Sequence, residues 1–319
     1  MLDIRLIREE PEVVEHAIRL RGGSADVGRV QELDERKRAL TTQVEELRAE
    51  RNTTSKEIGA AKKRGEDTEA VMATVRALGD RMAALEEELN GVATRLDNEL
   101  VLLPNLVRPD VPAGGEDDFE IVRVVGEPRS FDFDVRDHLD IGTSLGMIDM
   151  ERGARTSGSR FAYLLGDAVR LQFALVQFAL DRLGLAGFQP VVPPVLVREE
   201  AMWGTGFFPA DASMIYRIPE ENHDLFLVGT SEVPLAALHM DEILDPQQLP
   251  LRYVGVSSCF RREAGAAGKD TRGIIRVHQF DKIEMFSFVT PESSDEEHAR
   301  VSPSFAALPA HPPAAEAVR

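Results

Sequence analysis

The amino-acid sequence predicts an α+β protein, a long antiparallel coiled-coil hairpin of helices followed by an antiparallel sheet with helices. Three observations carry that prediction. Apolar residues recur in three- and four-residue steps along two stretches of the first hundred residues. A Pro- and Gly-rich run then interrupts the chain. Beyond it, two strand-like apolar runs near residues 255 and 280 lie either side of a short loop. With 319 residues, 43% of them hydrophobic, the chain has the length for two domains and the apolar content for a core.

The start, MLDIRLIREEPEVVEHAIRL, is charged and amphipathic and has no long apolar run of a signal peptide. Leu33, Leu40, Val44 and Leu47 then mark one helical seam. Val71, Val75, Leu78, Met82, Leu85, Leu89, Val92 and Leu96 mark a cleaner one, alternating steps of four and three. IGAAKKRGED between them predicts a turn, so the two helices fold back antiparallel, each roughly 50 Å long at 1.5 Å per residue. Such a seam fits a dimerisation rod as well as an RNA-gripping arm. Lys56, Lys62, Lys63 and Arg64 gather at the tip, where they suit a phosphate backbone or simply solvate a helix end.

PNLVRPDVPAGGEDD, residues 104–118, predicts a linker. A helix is expected near 159–186. Its stretch LQFALVQFAL is too short and too polar to span a bilayer, so it reads as a buried or interface helix. There is no phosphate loop of the GxGxxG or GxxxxGK[ST] type and no run of βαβ units, which argues against a doubly wound nucleotide fold. FLVGTSEVPLAALHM passes from a strand through Gly229 into a helix. Thr230, Ser231 and Glu232 sit at that switch, as helix caps or as the floor of a polar pocket.

RYVGVSSCF and GIIRVHQFDKIEMFSFV predict an antiparallel pair. Alternation along a strand puts Arg261 with Glu263, and Arg276, His278, Phe280, Lys282 and Glu284 together, while Ile275, Val277, Ile283 and Met285 face the other way. A planar guanidinium suits bidentate phosphate contact, an aromatic ring suits a base, and a carboxylate suits an ammonium group. The same spacing also fits a solvent-facing sheet of alternating charge.

The formal charge of −18 argues against a surface built for DNA or nucleic acid at large, while leaving room for one basic patch. One cysteine, Cys259, and seven scattered histidines give neither a disulfide nor metal-ligand spacing. A reducing cytoplasm is the expected location, with no membrane partner.

With these residues on the page, the chain resembles the seryl-tRNA synthetases, class II aminoacyl-tRNA synthetases, over roughly residues 1–300. FRREAG and GKDTRGIIRVHQFDKIEMF resemble their motif 2. VGTSEVPLAALH resembles their serine-pocket segment, and FQPVVPPVLV with MWGTGFFP resembles motif 1 and the loop after it. The resemblance implies a serine–tRNA ligase: ATP-dependent formation of seryl-adenylate and transfer to tRNA(Ser), with Mg2+ bridging the phosphates. Arg261 would be catalytic, holding the α-phosphate, and Arg261, Arg262, Glu263, Val277 and Phe280 would bind ATP. Thr230, Ser231, Glu232 and Glu284 would bind serine. Lys269 and Arg272 in the motif 2 loop would reach tRNA with the basic arm tip. Pro194 and the LQFALVQFAL helix would belong to a homodimer interface.

The implied organisation is an arm at 1–105, a linker at 106–118, a partial catalytic domain with motifs 1 and 2 at 119–300, and an Ala- and Pro-rich tail at 301–319. That tail shows neither helical nor strand period, and no motif 3 is recognisable. The chain has 31 arginines against 6 lysines, a G+C-rich codon bias, and a frameshift or gene fragment near residue 300 is the expectation. On that expectation the arm folds, the catalytic half is unstable and serine activation is very weak. The alternative function is a non-catalytic tRNA-binding or dimerising fragment.

Overall fold

A computed structural model describes residues 2–65, 67–115, 117–264, 272–306 and 316–318. The chain divides into two compact units, one through Val122 and one from Arg123.

In the first unit Asp3 caps α1 (Ile4–Glu9) by accepting the Arg5 N–H at 2.8 Å, and Pro11 opens α2 (Pro11–Leu20), where its missing N–H costs nothing. The long helices are α3 (Val27–Lys63) and α4 (Glu69–Leu102). Their seam is buried at Leu33, Leu40, Val44, Leu47, Val92, Leu96 and Leu100, whereas Val71 is exposed. At the base, Ile7, Val14 and Ile18 of α1 and α2 complete the enclosure. Arg36 bonds Glu88 at 2.5 Å and Arg48 bonds Glu86 at 3.0 Å, fixing the antiparallel register. Asp34, buried, accepts Arg8 at 2.6 Å and Arg38 at 3.0 Å; these hydrogen bonds, Arg8 first, hold its carboxyl below the usual range. The turn is narrower than IGAAKKRGED implied. Ala60, Ala61 and Lys63 are good helix formers and carry α3 on to Lys63, so the chain reverses only around Gly65, whose φ is +77°. No helix or strand forms among the described residues between Leu102 and Arg123.

The second unit begins with β1 (Arg123–Val125), α5 (His138–Ser144), β2 (Ile148–Asp149), α6 (Met150–Ser157), β3 (Tyr163–Leu164) and α7 (Asp167–Leu185). The helix expected from residue 159 starts only at Asp167, after β3 and after Gly166 in a positive-φ conformation. Next come β4 (Gln189–Val191), β5 (Leu196–Arg198), α8 (Glu199–Gly204), β6 (Tyr216–Ile218), β7 (Leu225–Leu227) and α9 (Glu232–Ala236). β8 (Leu251–Phe260), β9 (Gln279–Phe288), α10 (Ser294–Ala306) and β10 (Glu316–Val318) close the series. One sheet has the order β5-β7-β6, all antiparallel. β1-β10 and β2-β3 form two-stranded sheets, and another sheet has the order β4-β8-β9. It is mixed rather than purely antiparallel, because β4 runs parallel to β8. Parallel neighbours need a crossover, and α8 with the β5-β7-β6 sheet lies in that connection.

Two sequence expectations are corrected here. The strand thought to begin at Gly273 begins at Gln279, because Arg272 and Ile274 are held at the start of α5 and the ladder runs only one rung further, to His278. The tail from 301 is not wholly without regular structure: α10 continues to Ala306 and Glu316–Val318 is a strand. α10 is pinned to the sheet by Glu297, whose carboxylate takes Arg252 of β8 at 2.6 and 2.7 Å and Ser287 of β9 at 3.0 Å. Arg252 holds that carboxyl below the usual range. One sheet face packs Val254, Ile283 and Met285 against Leu183 and Phe188. Ile283 and Met285 are thus where alternation placed them, but Ile275 lies before the strand and is exposed.

Candidate functional site

The site forms on the other face of the β8-β9 ladder. Gly255 lies opposite Glu284, Ser257 opposite Lys282 and Cys259 opposite Phe280, so alternation turns Phe280, Lys282 and Glu284 to one side. β8 ends at Phe260, and Arg261 continues the ladder by one rung, its N–H donating to the His278 carbonyl at 2.9 Å. The Arg261 guanidinium carbon stands 5.3 Å from the centroid of Phe280. Its Nε donates to the Gly229 carbonyl at 3.0 Å, which locks the side chain and leaves both terminal amino groups without a hydrogen bond among the described residues. A fixed guanidinium with its fork open is suited to a phosphate.

Glu263 does not share a strand face with Arg261 as alternation alone implied. Its φ is +50°, the strand has ended, and its buried carboxylate pairs with Arg276 at 2.7 Å. Arg262 is exposed, with its N–H on the Met214 carbonyl at 2.8 Å. Val277 lines a cavity of about 370 Å3 with Phe161, Ile274 and Phe280.

The floor comes from the turn between β7 and α9. Thr230 and Ser231 are buried, and Glu232 is exposed. Thr230 Oγ1 caps α9 by accepting the Glu232 N–H at 3.2 Å, accepts Lys282 Nζ at 2.7 Å, and donates to Glu284 Oε2 at 2.8 Å. Lys282 also donates to that same Oε2. Ser231 Oγ is fully buried without a hydrogen-bond partner among the described residues, which leaves a donor unpaid inside the fold. A Cβ on Gly255 would come within 2.9 Å of Leu235 Cδ1 and 3.1 Å of Ser231 Oγ, so only glycine lets α9 start this close to the sheet. A glycine inside a strand is the sequence signal for such a close approach. Burial pushes the Cys259 thiol up, beneath this face.

Arg272 is held by Asp137 at 2.6 Å and Asp140 at 2.5 Å, and the Ile274 N–H donates to His138 Nε2 at 3.0 Å. The Asp140 backbone N–H and then Arg272 keep the Asp137 carboxyl below its ordinary range. Gly273, at φ +75°, permits this approach, since a Cβ there would meet His138 Nε2 at 2.0 Å. Sequence reasoning missed this anchor because its partners lie more than 130 residues apart. Lys269 lies outside the described residues. On the arm, Lys56 and Lys63 are exposed at the end of α3, Lys62 is in its last turn, and Arg64 follows in the turn. The structure therefore brings Arg261, Phe280, Lys282, Glu284 and Thr230–Glu232 together.

Comparison with known proteins follows the same division. Residues 1–107 match the seryl-tRNA synthetase N-terminal domain, and residues 216–305 match the class II tRNA synthetase core domain (G, H, P, S and T). A serine–tRNA ligase of Nocardia farcinica is 48% identical over 302 residues, covering 94% of this chain and 71% of the relative. One of Thermobifida fusca is 47% identical with the same coverage. The structure is similar to the seryl-tRNA synthetase of Pyrococcus horikoshii complexed with ATP, at a TM-score of 0.85 and 40% identity, over 95% of this chain and 73% of that one. It is also similar to the cytoplasmic enzyme of Naegleria fowleri in complex with AMP, at 0.82 and 31%, over 96% and 75%.

Proposed function

The chain belongs to the seryl-tRNA synthetase family, whose members are serine–tRNA ligases, and on that premise we propose that the β8-β9 face is its adenylation site. ATP places its α-phosphate on the open fork of Arg261 and its base against Phe280, with the Glu263–Arg276 pair, Arg262 and Val277 supporting that end. Serine places its ammonium on Glu284 and Glu232. Discriminating serine from alanine needs a buried polar partner for the hydroxyl, which the wrong substrate leaves unpaired. The serine carboxylate oxygen attacks the α-phosphorus, the bond to the leaving pyrophosphate breaks, and Arg261 stabilises the charge that develops. Positioning and charge stabilisation carry such a displacement, without a dedicated base.

No group of three or more His, Cys, Asp or Glu side chains able to hold a metal occurs among the described residues. Mg2+ would therefore arrive on the ATP phosphates, and no step is assigned to it. The arm tip and Arg272 contact tRNA(Ser). A second copy of the chain covers the exposed apolar residues of α7, Leu171, Phe173 and Leu175, beside a cavity of about 870 Å3. No helix among the described residues is long and apolar enough to cross a membrane.

The observation that carries the proposal is the Arg261 guanidinium, locked by Gly229 with its fork open beside Phe280. Calorimetric titration of ATP tests it. Arg261→Ala is expected to weaken binding about ten- to a hundredfold, the loss of a charged hydrogen-bonded pair. An unchanged affinity would refute it. Serine-dependent pyrophosphate exchange separates a ligase from a chain that only binds tRNA.

A further inference from the structure

We propose that Lys282 is a specificity-determining residue of the amino-acid site: it balances the charge of Glu284 so that a ligand bearing both ammonium and carboxylate is taken and a bare amine is not. The inference rests on the reading above that Glu284 receives the substrate ammonium.

The hydrogen-bond inventory leads there. A hydroxyl has one proton to donate and two lone pairs. Thr230 Oγ1 spends all three, on Glu284 Oε2, Lys282 Nζ and the Glu232 N–H. Its side chain therefore has nothing left for a substrate, and it acts by holding its neighbours. Glu284 Oε2 is likewise taken by Thr230 and Lys282, which leaves Oε1 for a ligand.

An amine approaching Oε1 then meets a carboxylate already neutralised by a cation two residues away on the same strand face. The attraction that a lone carboxylate would offer is largely cancelled, and Lys282 repels a second positive charge. A carboxylate on the same ligand reverses the balance, because Lys282 and the open fork of Arg261 both attract it. Glu232, the other proposed ammonium partner, restores only a small part of the lost attraction, since it is exposed and water screens it. If Lys282 served only as a structural tie, a neutral side chain that kept its donors would preserve the selectivity.

The test measures L-serine and ethanolamine, which is serine without its carboxylate, by calorimetry on the full chain at pH 7. The wild-type chain is expected to prefer serine by about tenfold or more. Lys282→Gln keeps donors without the charge, and Lys282→Met removes both. Each is expected to cut the preference about tenfold, while Lys282→Arg retains it within about threefold. A folded K282Q chain with the wild-type preference overturns the inference and leaves the site reading standing. Wild-type binding of ethanolamine within about threefold of serine also overturns it, whether or not the neutral variants fold. A wild-type chain that binds neither ligand overturns the site reading and this inference with it.

Discussion

Adding one methyl group at Gly255 tests the architecture of the serine end by pressing on Leu235 and Ser231 at the start of α9. The new Cβ would sit 2.9 Å from Leu235 Cδ1, 3.1 Å from Ser231 Oγ and 3.3 Å from Ser231 Cβ. Neither neighbour has room to retreat, because Leu235 and Ser231 are both fully buried. Overpacking of this kind costs about 1–3 kcal/mol, against which alanine recovers about 0.5–1 kcal/mol of backbone entropy relative to glycine. Gly255→Ala should therefore destabilise the second unit by about 1–2 kcal/mol in urea unfolding. The strain pushes the start of α9 away from the sheet, so serine affinity should fall while ATP affinity, set four and six residues along the ladder at Phe280 and Arg261, stays within about twofold. A variant as stable as the wild type, with unchanged serine binding, would refute the argument that glycine sets this distance.

Other perturbations read other parts of the molecule. Glu297→Ala strands Arg252 without its bidentate partner and should destabilise the β8-β9-α10 assembly by about 3 kcal/mol in denaturant unfolding. The depressed Asp34 carboxyl gives stability that is present above about pH 4 and lost as pH falls below it; thermal melts followed by helical circular dichroism should show this slope, and Asp34→Asn should flatten it. If the arm tip grips RNA, Lys56→Glu with Lys63→Glu should weaken tRNA(Ser) binding and reduce the slope of log K against log salt by about one per lysine in filter binding.

The sequence made the arm legible because coiled-coil seams depend on nearest neighbours in the same helix. Leu40 and Leu96 are buried for the reason their spacing announced. It made β8 and β9 legible where alternation operates, hence the shared face of Phe280, Lys282 and Glu284. It failed where long-range contacts override local pattern. The stretch from Gly273 reads as strand from its apolar content, but His138, Asp137 and Asp140 hold Arg272 and Ile274 away. Glu263 read as a neighbour of Arg261 until a positive φ turned it toward Arg276. The β4-β8 parallel pair was invisible because three residues of Gln189–Val191 carry no pairing signal of their own.

On the proposed reading a single strand serves two ligands, and its geometry would account for their reaction. From Phe280 to Glu284 is four residues, or about 13 Å along an extended chain, the order of distance from a nucleotide base to the amino end of a joined aminoacyl group. Arg261 stands over the Phe280 end and Lys282 lies between Phe280 and Glu284, so the proposed phosphate end and the middle of the track each carry a cation. Both ends are set by the same antiparallel register, Cys259 to Phe280 and Gly255 to Glu284, and slipping that register by one residue would turn every one of these groups into the Leu183–Phe188 core. Pairing between β8 and β9 therefore does more than stabilise the sheet: on the proposed reading it also sets the spacing between the ATP end and the serine end.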